Sequence, residues 1–73
     1  MSEGIHQELR QTISKNLRER MKVSKMDVAA LAETSGVSPA MIYLILKCSS
    51  TPTADKLCAL AGALQIPVSV LVS

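Results

Sequence analysis

The 73-residue sequence predicts an all-α fold, a single domain over residues 1–73 built from four to five helices. Three observations carry this. Ile5, Leu9, Ile13, Leu17 and Met21 recur four apart, the spacing of an apolar helical stripe. Asp27, Ser38 and Thr53, all of helix-capping type, each stand just before an apolar segment. Gly and Pro number only three each, too few for a loop-rich chain.

The first helix is expected over residues 5–22, with Arg, Lys, Glu, Gln and Asn on its polar face. The second is expected over 28–34. Asp27 can accept from free backbone N–H groups there, and Met26 and Leu31 are placed for a hydrophobic staple. Ser35-Gly36 ends it, because Gly takes a left-handed cap without strain. The third is expected over 39–47, with Ser38 as cap and Pro39 at the first helical position, where a missing N–H costs nothing. A loop at Cys48–Pro52 precedes the fourth helix, 54–64, which turns Leu57, Leu60, Ala61 and Leu64 inward. Residues 67–73 read two ways. Their β-branched side chains favour a strand, while Pro67 equally opens one more helical turn.

Composition narrows the class. Hydrophobic residues make up 48% of the chain, which excludes a disordered protein. With one Tyr, no Phe and no Trp, the core must be Leu, Ile, Val, Met and Ala. Cys48 and Cys58 form no CxxC and no disulfide framework, which points to a reducing, cytosolic setting. The longest apolar run, Met41 to Leu46, cannot span a bilayer, and MSEGIHQELR lacks the apolar stretch of a signal peptide. The net charge is +2, but it is uneven. Residues 1–25 hold six basic and three acidic side chains, net +3, against two and three in the remainder, net −1. That run is either a solvated helix face or a phosphate-facing surface.

The second and third helices form the informative constellation. Ala32 is small enough for a second helix to cross closely, Gly36 turns the chain, and Val37, Ile42 and Ile45 face inward to lock the pair. This is helix-turn-helix geometry, whose second helix can enter a major groove. The segment DVAALAETSGVSPAMIYLILK resembles the helix-turn-helix of the Cro and phage-repressor (Xre-type) family. Pro52 and LCALAGALQIPVSVL resemble that family's fourth helix and the start of its fifth, so the likeness covers about residues 13–72. It implies a lambda-repressor-like, five-helix DNA-binding domain acting as a homodimer on operator DNA to repress or switch transcription.

The sequence departs from the family in four places. Val28 stands where the family commonly has a phosphate-contacting Gln, and can offer only its backbone N–H. Leu46 and Cys48 stand where it often has Glu and Gly. The Arg that usually pairs with that Glu is matched by Met21, so an apolar Met21–Leu46 contact is expected in place of an ion pair. Cys48 without Gly implies strain or a different loop. Lastly, the outward face of the third helix is Ala40, Tyr43, Leu44 and Lys47, flanked by Pro39 and Met41. It has no bidentate Arg–guanine or Gln–adenine pair to offer.

What the resemblance then implies is base reading by Pro39, Ala40, Met41, Tyr43 and Leu44 through thymine methyls and DNA shape. Phosphate contacts fall to Lys25, Val28, Ser38, Lys47, Ser49, Ser50, Thr51 and Thr53. Few of these are cationic, so a shallow salt dependence is expected. Two alternatives stand beside this reading. The apolar face could bind a protein partner, as an antitoxin- or antirepressor-like module would, or it could pack on the chain's own N-terminal extension. Val68, Val70, Leu71 and Val72 are expected to be exposed and to form the dimer surface. The partners expected are double-stranded DNA and a second copy, with no membrane and no small-molecule ligand, in the cytoplasm of a bacterial or phage-infected cell, at the nucleoid. No cofactor, metal site or catalytic group is expected. His6 has no co-ligand, Asp27 and Glu33 are not a catalytic pair, and no nucleophile–base set can be named. Met1, Met21, Met26 and Met41 are core filler, with Met41 the doubtful one.

Overall fold

The computed structural model describes residues 2–73, with side chains from Gln7 onward. Expectations placed on Met1 and on the side chains of Ile5 and His6 lie outside the described residues. Five helices follow one another: α1 (Ser2–Val23), α2 (Val28–Ser35), α3 (Pro39–Leu46), α4 (Ala54–Ala63) and α5 (Val68–Val72). The described residues contain no strand.

The caps explain the starts. Asp27 accepts from the Ala30 N–H at 2.8 Å, Ser38 from Met41 at 3.2 Å and Thr53 from Lys56 at 3.3 Å. Each satisfies an amide that has no partner within its helix.

The ends are less conventional. Gly36 closes α2 with φ +79°, its N–H on the Ala32 carbonyl at 2.9 Å. At the other three tight turns the left-handed position is held by Lys25 (φ 55°), Cys48 (φ 61°) and Gln65 (φ 57°). In each, the next residue's N–H reaches back five positions: Met26 to Met21 at 2.9 Å, Ser49 to Leu44 at 2.9 Å and Ile66 to Ala61 at 3.0 Å. These are Schellman motifs built without glycine. At Cys48 the turn keeps the left-handed conformation and accepts the strain of a Cβ there.

Ile13, Leu17 and Met21 of α1 meet Leu31, Val37, Ile42, Ile45, Leu60, Ala61, Leu64 and Leu71 in one aliphatic core. Met26 and Leu46 pack against it, so both residues of the expected Met21–Leu46 pair belong to the same apolar mass. α1 lies against α3 and α5, and α2 against α3 and α4. The tail is helical. Leu71, 0% exposed, plugs the core, and its carbonyl accepts from Asn16 Nδ2 at 3.0 Å. This corrects the expectation that Leu71 is exposed.

Candidate nucleic-acid interface

α2 and α3 are joined by Gly36–Val37–Ser38. Leu31, Val37, Ile42 and Ile45 are buried, which fixes the rotation of α3 about its own axis. The helical period then leaves Ala40, Tyr43, Leu44 and Lys47 outward, and all four are exposed, as is Pro39. Tyr43 is 54% exposed and Leu44 42%. Met41 differs. It is half-buried against the core, and its sulfur accepts from Ser50 Oγ at 3.9 Å.

The polar candidates separate by what already engages them. Ser38 and Thr53 use their oxygens as caps, and each hydroxyl retains a hydrogen to donate outward. Ser49 and Lys47 are exposed. Ser50 is half-buried and turned to Met41. Lys25 is exposed in the α1–α2 turn. Val28 is half-buried beside the Asp27 carboxylate, whose charge opposes a phosphate at that point.

Three residues of α1 escaped the sequence reading. Arg10 Nε donates to Thr51 Oγ1 at 2.9 Å, Ser14 Oγ to the Leu46 carbonyl at 2.7 Å, and Arg18 Nη2 to the same carbonyl at 3.0 Å. Arg10, Ser14 and Arg18 are four apart and so share one stripe of α1. They grip the end of α3 and the loop that follows it. Arg18 places positive charge at the carbonyl end of α3, where the helix dipole favours it. The basic run is therefore divided: Arg10 bonds the loop and Arg18, itself exposed, bonds the α3 end, while Lys15 and Lys22 are exposed and make no side-chain hydrogen bond among the described residues. Arg10 thus adds a cation to the loop, and Arg18 one to the end of α3, that a count of those segments' own residues misses. The spacing of four was visible in the sequence, but its destination, 28 to 41 residues away, was not.

At the other end, Val68 and Val70 are half-buried, with Val68 packed on the core, and Val72 is 37% exposed. Val23, 71% exposed at the end of α1, is a more open apolar residue than any of these. Cys48 is half-buried and Cys58 exposed, both as free thiols. No cluster of potential metal ligands occurs among the described residues, and no described helix is long and apolar enough to cross a membrane.

Two short capped helices crossing at Gly36, the second with an uncovered outer face, define a helix-turn-helix domain. A sequence model of the helix-turn-helix family matches residues 15–71, most of the chain. The protein belongs to the Cro/Xre-type helix-turn-helix family of DNA-binding regulators. Comparison with curated proteins gave no match.

Proposed function

We propose that the protein is a sequence-specific transcriptional repressor that binds a near-palindromic operator as a homodimer. The observation that carries this reading is the open outer face of α3. α1 packs on the inner side of α3 and bonds its end through Ser14 and Arg18, and it leaves Tyr43 and Leu44 exposed. That weighs against the face being a seat for the chain's own N-terminal extension. In the groove, Ala40 and Leu44 contact thymine methyls and Pro39, Met41 and Tyr43 border them. Specificity leans on A·T content and groove shape. Lys25, Lys47, Ser38, Ser49, Thr51 and Thr53 contact the backbone, with Ser50 and Val28 in lesser roles. Two copies would place their α3 helices about 34–36 Å apart, one turn of the duplex.

Selection of binding sites from random duplex DNA tests this. Enrichment of a two-fold-symmetric, A·T-biased motif is expected, and recovery of no motif would overturn it. The dimer surface is to be sought with Val72→Asp in sedimentation. Truncation at residue 67 is unsuitable because it removes Leu71 from the core. The apolar character of the same face favours one rival, a protein-binding module, for which the selection would return unenriched DNA.

A further inference from the structure

α1 begins at Ser2, well ahead of the segment that matches the family, which starts at residue 15. Arg10 lies in this leading part, yet it is bonded to Thr51, 41 positions away, in the loop that leaves α3. We propose that Arg10 and Thr51 form a two-residue phosphate clamp, in which the leading turns of α1 bind the DNA backbone beside the α3–α4 loop. This rests on the regulator reading above.

The chemistry follows from the bond's direction. The Nε–H of Arg10 donates and the Thr51 oxygen accepts, so the Thr51 O–H remains a donor. A hydroxyl that accepts from a cation is polarised and donates more strongly. The two terminal nitrogens of Arg10 carry four further N–H donors, in the planar fork that suits phosphate. Arg10 and Thr51 are both half-buried, which holds the guanidinium in place before any ligand arrives. Lys47 and Ser49, both exposed, stand four and two positions before Thr51, at the end of α3 and in the loop that follows it. A backbone phosphate passing the end of the recognition helix would thus meet a hydroxyl donor with a fixed cation behind it.

Phosphate contacts are blind to sequence, so a random-sequence duplex of about 20 base pairs, two helical turns, serves as the probe. Affinity of the full chain is titrated against salt at a temperature where helicity shows every variant folded. Arg10→Gln is expected to weaken binding about tenfold at low salt and to reduce the slope of log affinity against log salt by about one. Arg10→Lys, which keeps the charge, restores the slope. Thr51→Val weakens binding several-fold with the slope unchanged. Lys15→Gln removes an equal charge from an exposed position of α1 and leaves both quantities near those of the parent protein. If Arg10→Gln keeps the parent slope, or Lys15→Gln lowers it equally, Arg10 is a structural brace or a diffuse charge and the clamp is overturned. Should Arg10→Gln fail to fold, an unchanged affinity in Thr51→Val overturns it as well. Failure of the parent protein itself to bind duplex at low salt would instead sink the regulator reading, and the clamp with it.

Discussion

Ser14 Oγ and the Leu46 carbonyl lie 2.7 Å apart, and this bond joins the middle of α1 to the last turn of α3. Ser14 is 5% exposed, the one polar residue recorded among the buried described residues. The carbonyl it meets belongs to a helix end, where no intrahelical donor is available. Arg18 shares that oxygen, so Ser14→Ala would leave it partnered. The expected loss is about 1 kcal/mol in urea unfolding, or about 4–8 °C in thermal midpoint. A double substitution with Arg18→Met should cost more than the two single losses together, since the carbonyl is then abandoned.

Leu44→Asp should leave the fold intact, because the side chain is 42% exposed. DNA affinity should fall at least about tenfold through lost methyl contact and repulsion from phosphates. An unchanged affinity in a gel-shift titration, with loss of a protein complex instead, would favour the protein-binding rival.

Exchanging glycine across the tight turns gives a pair of opposite expectations. At Gly36 (φ +79°) an added Cβ meets nothing within 4 Å, so Gly36→Ala costs only the torsional penalty, about 1–2 kcal/mol. Cys48→Gly and Gln65→Gly relieve the same penalty and should each stabilise by up to about 1 kcal/mol, offset in part by the greater freedom of the unfolded chain. Denaturant midpoints decide both signs.

Leu71→Ala should destabilise by about 2–5 kcal/mol although only two residues follow it in the sequence, because the side chain is fully buried. Val72→Ala, at a 37% exposed position, should change stability by no more than about 0.5 kcal/mol. Equal effects in calorimetry would mean that α5 does not close the core.

What was legible in the sequence was what neighbours in the chain decide. Asp27, Ser38 and Thr53 cap helices through bonds spanning three residues, and Gly36 turns the chain by virtue of lacking a Cβ. The inward pair Ile42 and Ile45 followed from helical period, and Val37 from its place just after the Gly36 turn. The left-handed turns at Lys25 and Gln65 were hidden because neither side chain favours that conformation; backbone bonds close the turns, and the residues that follow, Met26 and Ile66, pack on the core. The tail was ambiguous because Val68, Val70 and Val72 argue for a strand, while the cavity that Leu71 fills argues for a helix and exists only once the other helices are assembled. The Arg10–Thr51 bond was out of reach for the same reason, since its partners become neighbours only through the tertiary fold.

Tyr43 is the only aromatic residue of the chain, and it stands on the outer face of α3. The molecule therefore carries its own optical probe at the candidate groove-reading surface. Ultraviolet emission from this single phenol, free of any tryptophan background, would register whatever docks there without a dye or tag. Quenching on titration with duplex, lost in Leu44→Asp, would give a label-free isotherm.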